Sequence, residues 1–403
     1  MADANAFSSL SAITPETGNA QDRLPAIQNR LGTTWQAYKS RFIQADGRVK
    51  DLKAGSITTS EGQSYALQRA VWQNDRAVFD TVYTWSVNNL QKPRGDALFA
   101  WKWGRADDGA WRILDKTAAS DADQDIALAL LMAAERWQHP DYKTEAMRIL
   151  ADFWQKETLE TPFGRILLPG DWQIPPEVET RQLNPSYCAP YAYRIFAEAD
   201  PGRPWKLLID SCYTALSQSM ALAPTGLPPD WVEFSLKTGE YSLFGHPTQD
   251  DPRSDFGYEA MRAAWRLQVD AWLSPAGNKA SKPLREKIGR YMMRYFWLKR
   301  AMPGPLTPEG IERKLLDSNA VYGALYPLLA EQHPPLEPVL WTLALDGWQY
   351  NATGPNAGLW QHPDDYYGQN WLWFGLWLRL QQLTSPYTSL QPKTLLARYS
   401  GIQ

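Results

Sequence analysis

Two acidic segments carry the side chains best suited to chemistry. Glu61 follows the hydroxyl residues Thr58-Thr59-Ser60, and Asp121 opens a run that also contains Asp123 and Asp125. A carboxyl group kept protonated in a cleft acts as a general acid, and aspartates at a cleft rim hydrogen-bond ligand hydroxyls and stabilise developing positive charge. The sequence therefore offers one candidate acid and a cluster of candidate ligand-binding carboxylates.

The same residues also fit a purely structural role at helix starts. Ser60 and Ser120 are natural N-caps, and Glu61 and Gln63 suit the first turn of a helix. Asp123 stands three places after Ser120, as in a capping box. Three aspartates exceed what capping requires, so both interpretations stay open.

Aromatic residues are the unusual feature of the composition. The 403 residues include 20 Trp and 19 Tyr. That is more Trp than packing requires, because Leu and Ile fill a core without an N–H group to satisfy. Excess Trp and Tyr suit a groove that stacks flat, weakly polar rings, and sugars present such faces. A large aromatic core is the alternative interpretation.

Charge and motif content exclude several classes of protein and site. With 41 Lys and Arg against 44 Asp and Glu, the net charge of −3 argues against nucleic-acid binding. No run of roughly 18 apolar residues occurs, which predicts no membrane span. The four histidines lack metal-ligand spacing and no P-loop, GxGxxG, HExxH or GxSxG pattern is present, so we expect no metal and no cofactor. Cys188 and Cys212 leave a single disulfide bridge open.

Hydrophobic periodicity predicts a mainly α-helical chain. Apolar residues recur at helical spacing, and almost no run alternates as an exposed strand does. The predicted helices cover residues 24–43, 62–74, 76–90, 121–138, 141–156, 186–198, 203–221, 256–273, 281–300, 316–331, 336–348 and 366–382. We expect a flexible N-terminal arm over residues 1–23 and one domain over 24–403. Twelve helices in one closed domain suggest alternating inner and outer helices with a cleft at one rim, and a solenoid of helical pairs is the competing arrangement.

Two of these segments resemble the motifs of a known family. Ala119–Trp137 resembles the signature of glycoside hydrolase family 8, and Ser60–Tyr65 resembles the general-acid motif of that family. Looser similarity extends the resemblance over roughly residues 34–382, through segments 99–104, 168–172, 184–187, 229–231, 256–262 and 365–367. Within the family, the chain is similar to bacterial endoglucanases associated with cellulose synthesis.

The resemblance implies an all-α (α/α)6 barrel that cleaves a β-1,4-linked polysaccharide internally, with inversion at the anomeric carbon. It implies that Glu61 is the general acid and that Asp121 contacts the sugar at the cleavage subsite. The resemblance further implies a set of residues that line the substrate cleft: Trp101, Trp172, Tyr187, Arg262 and Tyr367.

One position departs from the family pattern. Most cellulase-type members read Tyr-Asp-Ala where this chain has Tyr258-Glu259-Ala260, so glutamate replaces the usual base aspartate. Inversion needs a carboxylate that activates water opposite the acid, with the carboxyl groups about 6.5 to 9.5 Å apart. The longer side chain extends the carboxyl group by roughly 1.5 Å, and we expect Glu259 to remain the base. In one alternative, Glu259 only forms a weak surface pair with Arg262 and turnover is poor or lost. In the other, the base is a loop aspartate: Asp250, Asp251 or Asp255.

Several functions follow from these alternatives. The first is hydrolysis of a β-1,4-glucan, either cellulose or mixed-linkage glucan, or the same chemistry on chitosan or xylan. The second is a polysaccharide-binding protein whose catalysis is reduced or lost through the change at position 259. A polysaccharide lyase, which releases unsaturated chain ends, is a weaker third.

The expected substrate also suggests a location. Because it is a polymer outside the cytoplasm, we expect a periplasmic or secreted protein. We also expect a monomer that works beside a cellulose-synthesis system. Residues 1–22 lack the basic start and apolar core of a secretory signal. We therefore expect the export signal to be absent from this chain.

Overall fold

A computed structural model describes residues 20–172, 177–245, 250–314, 318–342, 350–385 and 394–401. These residues form thirteen α-helices: α1 (Leu24–Phe42), α2 (Ser60–Trp72), α3 (Arg76–Ser86), α4 (Ser120–Trp137), α5 (Pro140–Lys156), α6 (Pro190–Ala199), α7 (Trp205–Leu222), α8 (Met261–Leu273), α9 (Pro275–Lys299), α10 (Asn319–Gln332), α11 (Glu337–Leu340), α12 (Tyr366–Thr384) and α13 (Leu395–Ser400). Helices dominate the described chain, which confirms the predicted all-α class.

The even-numbered helices α2 to α12 form an inner ring. Nearly every residue of α2, α8 and α12 is buried, as expected for helices covered on all sides. Each inner helix packs on the next, and α12 packs on α2 to close the ring. The odd-numbered helices cover the ring from outside, with α1 on α12, α3 on α2, α5 on α4, α7 on α6, α9 on α8 and α11 on α10. The fold is the predicted (α/α)6 barrel, and ring closure excludes the solenoid.

Two helices of the ring, α10 and α12, approach each other closely. A Cβ atom added to Gly323 would collide with the main chain of Trp371 and Leu372. A Cβ atom on Gly375 would collide with the main chain of Gly323. Two glycines therefore allow these helix backbones to approach more closely than any side chain permits.

Short antiparallel strands, which the sequence pattern does not predict, fill the connections between helices. The described residues contain eight: β1 (Thr58–Thr59), β2 (Ala100–Arg105), β3 (Trp111–Ala118), β4 (Thr158–Thr161), β5 (Gly164–Leu167), β6 (Thr180–Leu183), β7 (Val232–Ser235) and β8 (Tyr241–Ser242). They pair in the order β1-β2-β3, β4-β5 and β6-β7-β8. Each is eight residues or shorter, and bulges interrupt the β2–β3 register, so period-2 alternation is weak. β1 and β3 lead directly into the starts of α2 and α4.

Two helix starts differ from the predicted ones for identifiable reasons. α9 begins at Pro275 rather than residue 281, because the Ser274 hydroxyl caps it by accepting from the Gly277 N–H at 2.9 Å. Helix α8 begins at Met261 rather than residue 256, because the side chain of Asp230 accepts hydrogen bonds from the turn that precedes the helix. Residues 343–348 of the last-but-one predicted helix lie outside the described residues.

The ends of the chain test little of the predicted domain organisation. Residues 1–19 of the expected arm lie outside the described residues, and Ala20–Arg23 forms a 3-10 turn leading into α1.

Cys188 and Cys212 form the disulfide that the sequence left open, with Cα atoms 5.4 Å apart. It ties the segment before α6 to α7. Among the described helices, none combines the length and the apolar character needed to cross a bilayer.

Candidate active site

The first residues of four inner helices meet at one rim of the barrel. Glu61 and Asp121 are the second residues of α2 and α4, Arg262 is the second residue of α8, and Tyr366 is the first residue of α12. Hydrogen bonds connect all four side chains. Carboxylates are favoured here because helix N-termini carry partial positive charge.

Glu61 is held by two donors on opposite sides of its carboxyl group. The Tyr366 hydroxyl donates to Oε1 at 2.9 Å, and Arg262 Nη1 donates to Oε2 at 2.9 Å. Burial raises the pKa of Glu61 to about 7; the Arg262 charge opposes this rise and the Asp121 charge adds to it. The N-cap is Thr59, whose hydroxyl accepts from the Gly62 N–H at 3.0 Å, so the predicted capping role of Ser60 is wrong. Glu61 is therefore free to face the cleft.

Arg262 is the centre of the constellation. Its side chain is 2% exposed, and it donates to Glu61 and Asp121 at 2.9 Å each and to Glu259. The guanidinium also lies 4.9 Å from the centre of the Tyr187 ring. One buried cation thus holds three carboxyl groups around a common point, so the Arg262–Glu259 pair is not the weak surface contact considered above.

The three aspartates at the start of α4 point to different places. Asp121 binds Arg262, whereas Asp123 accepts from the main-chain N–H of Phe99 at 2.9 Å and Asp125 pairs with Arg266 at 3.0 Å. Burial raises the pKa of Asp123 and of Asp125. Only Asp121 therefore belongs to the site, and the expected cluster of three ligand-binding aspartates is wrong.

The capping box expected at the start of α4 is also absent among the described contacts. The Ser120 hydroxyl donates to the carbonyl oxygen of Leu168 at 2.6 Å instead of accepting from α4. Because Asp123 bonds Phe99, it does not complete a box. These bonds attach the start of α4 to the chain before β2 and to the segment after β5.

Glu259 lies on the turn that precedes α8. Its Oε2 accepts from Arg262 and from the side-chain amide of Asn184, and its side chain is 36% exposed. The main-chain N–H of Glu259 donates to Asp230 Oδ1 at 3.1 Å. Glu259 is thus half-open to the cleft and shares Arg262 with Glu61.

The three loop aspartates each have arginine partners away from this cluster. Asp255 accepts from Arg313 at 2.7 and 2.8 Å, and Asp250 binds the same arginine. Asp251 pairs with Arg253 at 2.6 Å. These contacts engage the loop carboxylates in ion pairs of their own.

The predicted aromatic residues lie on three different segments. Trp101 lies on β2, with the Lys102 ammonium 5.3 Å from the centre of its ring. Trp172 is 37% exposed and stacks on Trp231, with ring centres 6.0 Å apart and planes 24° apart. Tyr187 also contacts Trp231, at 6.0 Å between ring centres. Trp172, Trp231 and Tyr187 form a continuous aromatic wall, within which Trp172 is the most exposed ring.

A cleft of ≈ 540 Å³ opens beside the carboxyl groups. Its walls include Glu61, Glu259 and the tyrosines Tyr258, Tyr366 and Tyr367. The Tyr367 hydroxyl donates to the carbonyl oxygen of Tyr258 at 2.5 Å, which fixes the ring across the opening. Within the part of the chain that the structure describes, no three His, Cys, Asp or Glu side chains are grouped to hold a metal ion.

Four residues of the site were not identified from the sequence: Asn184, Asp230, Trp231 and Tyr366. All four lie inside segments 184–187, 229–231 and 365–367, which carry the looser family similarity. The sequence pointed to their neighbours Tyr187 and Tyr367. Segment-level similarity identified these three segments but not which side chain in each one contacts the rest of the site.

Comparisons with known proteins agree on one family. Residues 20–303 match the model of glycosyl hydrolases family 8. An endoglucanase of Xanthomonas axonopodis pv. citri is 38% identical over 261 residues, covering 63% of this chain and 62% of that protein. An endoglucanase of Escherichia coli K12 is 36% identical over 208 residues, covering 51% and 55% respectively. The chain thus spans less than two thirds of these curated relatives.

Solved structures give the same answer over more of the chain. The crystal structure of a family 8 endoglucanase from Klebsiella pneumoniae superposes with a TM-score of 0.68 at 27% identity. The superposition covers 87% of this chain and 99% of that one. The barrel is therefore shared almost completely with this structure.

Proposed function

The chain belongs to glycosyl hydrolases family 8, and from this premise we propose that it is an inverting endo-β-1,4-glucanase. The observation that carries the proposal is the pair of carboxyl groups, Glu61 and Glu259, held by Arg262 beside the cleft. The relatives named endoglucanase support cellulose or mixed-linkage glucan as the substrate. In this proposal the catalytic domain covers residues 24–403 and follows an N-terminal arm over residues 1–23.

Glu61 is the general acid in this proposal. Because burial raises its pKa to about 7, Glu61 holds a proton near neutral pH and delivers it to the oxygen of the departing sugar. Arg262 and Tyr366 stabilise the carboxylate that remains. The same two donors therefore orient the acid before proton transfer and stabilise its conjugate base afterwards.

Glu259 is the general base. It removes a proton from a water molecule on the opposite face of the sugar, and the water oxygen bonds to the anomeric carbon as the glycosidic bond breaks. Asn184 and Arg262 fix its carboxyl group. The arginine partners of Asp250, Asp251 and Asp255 argue against those residues as the base.

Asp121 and the aromatic residues bind and orient the substrate. Asp121 lies 2.9 Å from Arg262 and contacts the sugar at the cleavage subsite, where its charge stabilises the oxocarbenium-like transition state. Sugar rings stack on Trp101, Trp172, Tyr187 and Tyr367, because apolar sugar faces pack on aromatic rings. Arg262 contributes by holding the carboxyl groups of Glu61, Asp121 and Glu259 next to one another.

The disulfide supports a location outside the cytoplasm. Disulfides persist in oxidising compartments such as the periplasm or the extracellular space, and Cys188 and Cys212 are bonded. This location places the protein with a polymeric glucan substrate. We propose that it acts there as a monomer beside a cellulose-synthesis system.

Release of reducing ends tests the proposal. Wild type, Glu61→Gln and the matched control Glu286→Gln, on the outer helix α9, are incubated with carboxymethylcellulose, mixed-linkage β-glucan, xylan and chitosan. We expect wild type and the control to act on the glucans and Glu61→Gln to be inactive while still binding. Activity on chitosan or xylan alone would contradict the glucan substrate. Binding without products in folded wild type would favour a polysaccharide-binding protein, and ultraviolet-absorbing ends would indicate a lyase.

A further inference from the structure

Asp230, in the loop before β7, contacts the turn that carries Glu259. Its Oδ1 accepts three main-chain N–H groups, from Gly257 at 3.0 Å, Glu259 at 3.1 Å and Ala260 at 2.7 Å. The main-chain N–H of Asp230 donates in turn to the carbonyl oxygen of Asp255 at 2.7 Å. Four hydrogen bonds therefore attach this loop to the chain entering α8.

This arrangement satisfies the turn that leads into α8. The residue at the N-cap position of α8, Ala260, has no side chain that can accept a hydrogen bond. The Asp230 carboxylate accepts from the main-chain N–H of Ala260 at the helix start and from those of Gly257 and Glu259 in the turn before it. Gly257 permits the close approach, since a Cβ atom there would collide with Asp230 Oδ2.

The same loop also positions the aromatic wall. Trp231 follows Asp230 directly and stacks on Trp172 at 6.0 Å between ring centres. The Trp231 main-chain N–H donates to the carbonyl oxygen of Arg253 at 2.8 Å. A displacement of this loop would therefore move both the turn of Glu259 and the surface on which a sugar ring stacks.

We propose that Asp230 is a positioning residue for the base. Its three main-chain hydrogen bonds hold the turn so that Glu259 meets Asn184 and Arg262. The inference rests on the proposed function, in which Glu259 is the base. Asp230 itself takes no proton from the attacking water.

The first test is the steady-state kinetics of Asp230→Ala, which removes the acceptor of all three main-chain N–H groups. Because the turn that carries the base is released, kcat is expected to fall by about tenfold or more while KM changes by less than about twofold. Asp230→Asn keeps a carbonyl oxygen for the turn and is expected to recover part of this loss. A folded Asp230→Ala variant with wild-type kcat would overturn the proposal.

Two further variants test the turn itself. Gly257→Ala pushes on Asp230 Oδ2 and leaves the acceptor oxygens in the chain, so kcat is expected to fall, and wild-type kcat would overturn the positioning role. Asp255→Asn is the matched control, because it removes a buried carboxylate that pairs with Arg313. Its kcat is expected to stay near that of wild type, and a loss equal to that of Asp230→Ala would show a general effect of destabilisation and overturn the proposal.

Azide distinguishes positioning from direct base catalysis. In Glu259→Ala, azide attacks the anomeric carbon without needing a base, and glycosyl azide is the expected product. In Asp230→Ala, azide is expected to give no such rescue, and rescue there would make Asp230 the base and overturn the proposal. Wild type and Glu61→Gln, measured in parallel, report on the proposed function separately, because inactive wild type contradicts that function and not the role of Asp230.

Discussion

Replacing Glu61 by glutamine is expected to raise the free energy of unfolding, relative to wild type, progressively from pH 5 to pH 8. Burial raises the pKa of Glu61 to about 7 in the folded protein, whereas glutamate in an unfolded chain titrates near about 4.3. Between those values the folded chain binds a proton that the unfolded chain has released, so wild type loses stability as pH rises. Integrated from pH 5 to pH 8, the loss is about 2 to 3 kcal/mol.

Urea unfolding at pH 5, 6.5 and 8 measures this effect in wild type, Glu61→Gln and Glu286→Gln. Glutamine does not titrate, so Glu61→Gln lacks the loss, and its altered contacts with Arg262 and Tyr366 add an offset that does not follow the titration of Glu61. The diagnostic quantity is the free energy of unfolding of the variant minus that of wild type, and specifically how this difference changes with pH. A difference that stays flat for Glu61→Gln, as expected for Glu286→Gln, would show that Glu61 is ionised at neutral pH and would refute its assignment as the acid.

Three further predictions concern the acid, the aromatic wall and the disulfide. Tyr366→Phe removes a hydrogen bond to the ionised form of Glu61, so the alkaline limb of kcat/KM moves up by about one pH unit; an unmoved or lowered limb contradicts this. Trp172→Ala removes an exposed stacking surface, so we expect KM for soluble glucan to rise several-fold with kcat nearly unchanged; a fall in kcat alone would show another role. The bond between Cys188 and Cys212 closes a loop with a sequence separation of 24, so replacing both by serine is expected to cost about 3 to 4 kcal/mol in urea unfolding. Unchanged unfolding would contradict that estimate.

Much of the barrel was predictable because its helices follow the hydrophobic pattern of the sequence. Helices α1, α5 and α7 begin and end within about two residues of their predicted positions. Sequence periodicity reports burial along one helix, and these helices have long apolar stripes. The solenoid alternative was excluded only by the contact of α12 with α2, a relation between distant segments that no local pattern contains.

The parts that escaped prediction depend on bonds between distant segments. The start of α8 is set by Asp230, 27 residues before Gly257, and Ser120 bonds Leu168 rather than capping its own helix. Nothing within either local sequence specifies such partners. Local rules therefore assigned Ser120 and Asp123 to a capping box, whereas both side chains form hydrogen bonds with segments outside α4.

The candidate site shows the same division. Glu61 and Asp121 were identified because their motifs are continuous in sequence. Asn184 and Tyr366 were missed because each acts through a contact with a carboxyl group from a distant segment of the chain. The position of Arg262 between three carboxyl groups is likewise a product of the fold, since its partners lie 3, 141 and 201 residues away.

The most direct test of the central claim is the configuration of the first product. Proton NMR during hydrolysis of a soluble cello-oligosaccharide follows the anomeric signals before mutarotation mixes them. With Glu61 as acid and Glu259 activating water on the opposite face, the α-anomer is expected to form first. Initial release of the β-anomer would mean that a carboxylate attacks the sugar directly, and the assignment of Glu259 as general base would be wrong.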